Sequence, residues 1–423
     1  MADPAPVSGG RRRRLMRLRL VYLAVGIVIA LGASALVYQL GFGPGRLPAT
    51  LPQASTAPIA VPPVESPRPA LLTAAWIGYK HRFIQPDGRV IDFQRDQVTT
   101  SEGQSYAMLR AVWMDDRPTF DLTWRWTQDN LGDPTRSRIG WLWGKAPDGS
   151  WRLLDANSAS DADEDIALAL LFAAHRWSST YRPAAIALLD RIWSEEVATV
   201  AGQPYLTAGN WGPGAAGGPV LNPSYLAPYE YRIFAREDRV HRWGELVDTS
   251  YKALHACTDA PLDSGAGRLP PNWCALDVAT GAAHSAPGMS QGSDYGYDAF
   301  RVMWRVALDA RWNLEPRAVR YLSSYKTVLL DSWHQQGKLA SEYGHDGAVR
   351  NSNEDPTVYG GAIASFLVVD RNAADQMMSR MEATATSGGQ DGTYFGTSTN
   401  YYEQNWIWFG LAFAYGALPN LDR

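Results

Sequence analysis

Helical periodicity is the feature that most constrains this chain. Apolar residues recur at three- and four-residue spacing over 101–116, 118–131, 160–177, 181–197, 241–256, 296–312, 316–335, 357–369 and 402–416. These are among roughly a dozen helical patterns in all. Loops rich in Gly, Pro and Asn separate them, strand-like alternation is scarce, and no repeat of constant sequence stands out. The pattern predicts one α-rich domain with long loops gathered at one end of its helices. A helical-repeat scaffold for protein binding is the competing architecture, but the loops are too long and irregular for a solenoid of uniform units.

The first 70 residues are a different kind of chain. They hold 8 Arg/Lys and 2 Asp/Glu, a net charge of +6, which leaves −10 on the remainder. Six arginines (Arg11–Arg14, Arg17 and Arg19) precede an uncharged run from Leu20 to Gly45. A stretch of about 20 apolar residues spans a bilayer, and flanking arginines stay cytoplasmic. Ala33-Ser34-Ala35 also fits a cleavable signal peptide, but the apolar run continues past it, which favours an uncleaved anchor. Either way the remainder is exported. Eight prolines between Pro44 and Pro69 mark a semi-rigid linker. The expected organisation is a basic cytoplasmic segment (1–19), a signal-anchor in the inner membrane (20–42), a Pro/Ala-rich linker (43–69) and a periplasmic or extracellular domain (70–423).

That domain is acidic, which argues against nucleic acid as a partner, since phosphate binding needs a basic face. All 17 tryptophans fall after position 70. Such a content serves a large core, and it also suits sugar rings, whose apolar faces stack on aromatic planes. Cys257 and Cys274 are the only cysteines. Their spacing fits no metal motif; they close one loop in an oxidising compartment and stay free thiols in a reducing one.

Carboxylates gather at predicted helix starts. In "TTSEGQSYAMLRAVW" (Thr99–Trp113), Ser101 and Gln104 make a capping box and place Glu102 in the first turn. The helix dipole there favours its ionised form. In "SDADEDIALALLFAAHRW", Ser160 can cap a helix that carries Asp161 and Asp163 in its first turn. Glu164 and Asp165 beside them read as a solvated helix start. A calcium loop is excluded by Ile166 and Phe172, which stand where Gly and Glu are required. Asp161 is the best candidate there for a site carboxylate. In "SDYGYDAFRVMWR", Tyr297, Asp298 and Arg301 open a third helix. Arg301 either holds Asp298 ionised, as suits a general base, or forms an ordinary surface pair worth a few tenths of a kcal/mol.

The seven histidines form no zinc pair, and no nucleophile elbow, Walker loop or dinucleotide fingerprint occurs. No cofactor or metal is expected. Paired carboxylates, abundant aromatics and export fit hydrolysis of a polysaccharide.

At these residues the chain resembles a known family. "ASDADEDIALALLFAAHRW" (Ala159–Trp177) is similar to the signature of glycoside hydrolase family 8 and agrees at every constrained position. "SEGQSYAM" (Ser101–Met108) and "YDAFRVMWR" (Tyr297–Arg305) resemble two further segments of that family. So do "NPSYLAPYEYRIFA" (Asn222–Ala235) and "NYYEQNWIWFGLAF" (Asn400–Phe413). Met303 stands where many relatives have Pro. The likeness runs from about residue 75 to the C-terminus.

The resemblance implies an all-α (α/α)6 barrel, or six-hairpin toroid, with a cleft across one end. It implies Glu102 as general acid, Asp298 as base and Asp161 holding the sugar at the cleavage point, with inversion at the anomeric carbon. Tyr297 and Arg301 would orient the base and water, and Tyr401 or Tyr402 would line the same place. Asp163 would contribute to substrate binding, and some of Trp141, Trp143 and Trp211 would stack on glucosyl rings. "WTQDNL" (Trp126–Leu131) and "WLWGK" (Trp141–Lys145) are most similar to bacterial endo-β-1,4-glucanases that accompany cellulose synthesis. These imply a cellulose-like substrate and a cellulose synthase complex as partner. Chitosanases, lichenases and xylanases share the family, and a non-catalytic polysaccharide-binding envelope subunit is the reading from another class. A general acid working near neutral pH must be protonated. Burial of Glu102, or a neighbouring Asp161, must therefore outweigh a dipole worth about 0.3–1 kcal/mol.

Overall fold

Helices buried on every side sit beside helices with a single apolar stripe, and this contrast sorts them into an inner and an outer set. The computed structural model describes residues 69–133, 138–263, 266–289 and 291–422. The expected segments 1–19 and 20–42, and the linker up to residue 68, lie outside the described residues. Pro69 already opens α1 (Pro69–Phe83). The helices that follow are α2 (Ser101–Trp113), α3 (Arg117–Asn130), α4 (Ser160–Arg176), α5 (Arg182–Glu196), α6 (Pro228–Glu237) and α7 (Trp243–Asp259). After them come α8 (Arg301–Asn313), α9 (Pro316–Tyr325), α10 (Thr327–Gln336), α11 (Tyr359–Val369), α12 (Arg371–Glu382) and α13 (Tyr401–Ala414).

In α4 every residue from Ser160 to Ala173 is buried, and in α11 every residue from Tyr359 to Val368. A helix apolar all round belongs in a core. By contrast α9 buries only Ala318, Tyr321, Leu322 and Tyr325, a single stripe. The inner helices touch in a closed ring, α2 to α4, α6, α8, α11, α13 and back to α2. Each carries an outer partner: α3 on α2, α5 on α4, α7 on α6, α9 on α8, α12 on α11 and α1 on α13. This double ring is consistent with an (α/α)6 barrel.

The differences from the periodicity have local causes. The run expected at 316–335 divides at Lys326, which keeps helical dihedrals (φ −67°, ψ −25°), so no breaker residue marks the division. The helix expected from 296 begins at Arg301. Asn272 Oδ1 accepts from the backbone N–H groups of Gly296 and Ala299 and holds this stretch in turns. Asp298 therefore stands on the loop before the helix. Helices α1, α6 and α12 are additional to the ranges read from the sequence.

Short antiparallel ribbons line the loops. One joins β1 (Thr99–Thr100), β2 (Leu142–Lys145) and β3 (Trp151–Asp155). A hairpin pairs β4 (Val197–Val200) with β5 (Gln203–Leu206). Another ribbon joins β6 (Val220–Leu221), β7 (Cys274–Leu276) and β8 (Ala283–His284). Cys257 in α7 and Cys274 in β7 form a disulfide, which settles the alternative that their spacing left open.

Close approach in the inner ring depends on glycine. A Cβ on Gly361 would lie 2.1 Å from the Phe300 carbonyl oxygen, and one on Gly360 would lie 2.3 Å from that of Trp406. Both obstacles are backbone, so neither can rotate away. Gly361→Ala is expected to lower the unfolding free energy by about 1–3 kcal/mol or more, read from urea denaturation.

Candidate active site

The N-terminal ends of inner helices converge, and the side chains they carry meet around one guanidinium. Glu102 stands in the first turn of α2, Asp161 in that of α4, and Arg301 opens α8, while Tyr401 and Tyr402 open α13. The cap of α2 differs from expectation. Thr100 is the capping residue, its hydroxyl accepting from Gly103 N at 3.0 Å. Gln104 is drawn away from the capping box into a buried network. It accepts from Val90 N at 2.7 Å and donates to Thr127 Oγ1 at 2.9 Å. Nor does Ser160 cap α4: it lies inside the helix and donates to the Thr207 carbonyl at 2.6 Å.

Arg301 is the hub, with a side chain only 1% exposed. Its Nη1 donates to Glu102 Oε2 at 3.0 Å and to Asp161 Oδ2 at 2.7 Å, and its Nη2 donates to Asp298 Oδ1 at 2.6 Å. The pairing of Arg301 with Asp298 is thus one arm of a buried cluster and no surface contact. Tyr401 donates its hydroxyl to Glu102 Oε1 at 2.9 Å. Tyr402 donates to the Tyr297 carbonyl at 2.7 Å, and the Tyr297 hydroxyl to Asp355 Oδ2 at 2.7 Å.

Burial pushes the Glu102 carboxyl up to about 7; the Arg301 cation opposes this and the Asp161 charge adds to it. Burial also raises Asp161, against the pull of Arg301 and Arg305. Desolvation thus outweighs the dipole at the first turn of α2, and Glu102 lies against the same nitrogen as Asp161.

The remaining acids of α4 correct the sequence reading. Glu164 and Asp165 are buried, not solvated, because the inner-helix starts face one another across the ring. Arg305, one turn below Arg301, pairs bidentately with Asp165 at 3.0 Å and reaches Glu230 and the Tyr229 hydroxyl, each also at 3.0 Å. Burial, with Glu230 beside it, holds Glu164 well above the usual carboxylate range. Asp163 is fully buried and faces Glu196, lining neither of the cavities at this end of the ring.

Those two cavities differ in character. One of about 400 Å³ is polar and contains Glu102, Asp298, Tyr297, Tyr401 and Tyr402 with Asp355. The other, of about 430 Å³, is walled by Trp141, Trp211, Trp273 and Tyr225 with Ser158 and Asn157. Trp141 and Trp211 therefore stand where the sequence reading wanted aromatics. Trp143 lines neither cavity: Trp151 stacks on it at 5.0 Å and the Arg89 guanidinium lies 4.4 Å from its ring centre. Trp273 and Asp355 escaped the reading. Each comes from a distant loop, and the Trp273–Cys274 adjacency was the only signal for the first.

A model of the glycosyl hydrolases family 8 matches residues 59–407. The chain belongs to that family. It is a glycoside hydrolase by descent, and its relatives are named accordingly. It is similar to an endoglucanase of Escherichia coli K12, 31% identical over 337 residues, which cover 78% of this chain and 86% of that one. An endoglucanase of Xanthomonas axonopodis pv. citri is 38% identical over 260 residues, 60% of this chain; the match spans 65% of the relative's length. Among solved structures, an endo-1,4-D-glucanase from Vibrio fischeri ES114 superposes with a TM-score of 0.65 at 25% identity. That match covers 80% of this chain and 93% of that one.

The Arg305 layer supports the hub from below, and its removal isolates two buried acids. Arg305→Met is expected to cost about 3–5 kcal/mol of stability, measured by chemical denaturation, because Asp165 and Glu230 lose their cation.

Proposed function

We propose that the chain is an exported endo-β-1,4-glucanase that cuts internal bonds of a cellulose-like glucan with inversion. The observation that carries this is the Arg301 bridge: Glu102 and Asp298 bind different nitrogens of one guanidinium. Their spacing is set by the width of that group plus two hydrogen bonds. It is compatible with the ~6.5–9.5 Å of inverting carboxyl pairs, which leaves room for a water. Glu102, raised to about 7, still carries its proton in a large share of molecules near neutral pH and gives it to the departing glycosidic oxygen. Asp298, on the rim, takes a proton from the water that attacks the anomeric carbon from the opposite face. Asp161 accepts from the sugar at the cleavage point, and Tyr401 orients the acid.

Glu102→Gln is expected to abolish hydrolysis of soluble β-1,4-glucan while leaving folding intact. The first product, followed by proton NMR, should be the α-anomer. Near-normal activity of that variant, or β-anomer release, overturns the assignment. Glucan, mixed-linkage glucan, xylan and chitosan tested side by side fix the specificity. A chain that binds glucan without cutting it would be a binding subunit instead.

The pH dependence follows from the sign of the Glu102 shift. The acid works only when protonated, so kcat/KM should fall as pH rises through about 7. Asp161→Asn removes a like charge that helps hold the proton. Any residual activity of that variant should lose its alkaline limb at lower pH.

Export, and a tether through residues 20–42 with the N-terminus cytoplasmic, are supported by the arginine cluster and apolar run. The Cys257–Cys274 disulfide is in keeping with an oxidising compartment. Association with a cellulose synthase complex rests on the likeness to synthesis-linked endoglucanases. Protease accessibility of the domain in spheroplasts, against a cytoplasmic marker, tests the topology.

A further inference from the structure

Two buried acids that the proposed mechanism does not use lie directly behind the aromatic cavity. Glu196 closes α5 and is 1% exposed; Asp163, in the first turn of α4, is fully buried and faces it. Apart from each other, Asp163 Oδ1, Asp163 Oδ2 and Glu196 Oε2 have no partner among the described residues. Two facing carboxyls removed from water require a shared proton, since like charges there cannot both ionise. The other Glu196 oxygen, Oε1, accepts the hydroxyl of Ser158.

Ser158 is where this pair reaches the cleft. Its Oγ also accepts from Asn210 N at 3.0 Å, and its own N–H donates to Asn210 Oδ1 at 3.0 Å. A Cβ on Gly209 would lie 2.3 Å from the Ser158 carbonyl oxygen, so the two loops run in close contact. Trp211, the next residue after Asn210, lines the aromatic cavity together with Ser158. A second strap fixes the base of the same loop: the Glu196 carbonyl accepts from Thr207 N at 2.8 Å and from Thr207 Oγ1 at 2.7 Å. Through Ser158 and through Thr207, Glu196 thus holds two points of the segment that delivers Trp211.

We propose that Glu196, locked against Asp163, is a positioning residue that sets the aromatic wall through the Ser158–Asn210 clamp. It thereby governs how tightly glucosyl units beside the cleavage point are held. This rests on the glucanase reading of the same cleft. Glu196 touches neither the acid nor the base, so its effect falls on binding and leaves the bond-breaking step alone. A glutamine in its place keeps an acceptor for Ser158 and offers Asp163 a hydrogen-bonding partner without the charge. Alanine keeps neither.

The test compares Glu196→Ala, Glu196→Gln and Ser158→Ala in the full chain. Ser158→Ala cuts the clamp from the cavity side and leaves the acid pair intact, so it stays informative if Glu196→Ala does not fold. With cellohexaose as probe, Glu196→Ala and Ser158→Ala should raise KM roughly tenfold, the scale of one buried hydrogen bond. Their kcat should change less than about twofold, and Glu196→Gln should restore most of the affinity. Calorimetry with cellohexaose on the Glu102→Gln background should show the same loss of binding. Unchanged affinity in Ser158→Ala, a fall in kcat at constant KM, or failure of Glu196→Gln to rescue would overturn the inference. If the native chain cuts cellohexaose while the clamp variants bind it normally, only this inference fails. If the native chain neither binds nor cuts it, the glucanase reading fails as well.

Discussion

One guanidinium holding three carboxylates is the interaction on which the rest of this structure depends. Removing an arginine and its acids from water is costly unless every charge finds a partner. Arg301 meets Glu102, Asp161 and Asp298, which leaves more negative than positive charge if all three ionise. The simplest relief is a shared proton, and burial favours it on the acids of the cluster, raising both Glu102 and Asp161, while the hydrogen bond from Tyr401 works the other way on Glu102. The raised carboxyl of Glu102 therefore follows from its surroundings, burial with a neighbouring Asp161 outweighing the arginine.

Such a cluster needs side chains from several helices at one level, and a ring of inner helices whose starts face one another supplies them. The same geometry repeats one turn deeper, where Arg305 gathers Asp165 and Glu230. Two stacked arginine layers take up the charge that helix starts attract. The glycines of α11 matter to the same ring, since they let that helix pack directly against the backbone at Phe300 and Trp406.

Much of this was legible in the sequence, and what was missed shares one cause. Apolar spacing located α2, α4, α5 and α7 within a few residues, because each has a continuous buried face. The candidate acids Glu102, Asp161 and Asp298 were found from their positions at helix starts and from the family likeness, and all three converge on Arg301. Glu164 and Asp165 were misread as solvated because a lone helix offers its start to water. Only the closed ring shows that these starts face each other. Of the three tryptophans among which the resemblance expects sugar-stacking rings, Trp143 is the one that Trp151 and Arg89 cover. Trp273 and Asp355 reach the cavities from distant loops, and no local spacing encodes that.

The two halves of the cleft are held by different forces. The acid side is assembled from helix starts and fastened by charge. The aromatic side is built on loops, and one of its walls is fastened covalently: Trp273 immediately precedes Cys274, which the disulfide ties to α7. The covalent fastening and the charged one consequently lie in separate parts of the protein. Reduction would remove the covalent tie between α7 and the segment that carries Trp273, and it touches none of the groups gathered around Arg301.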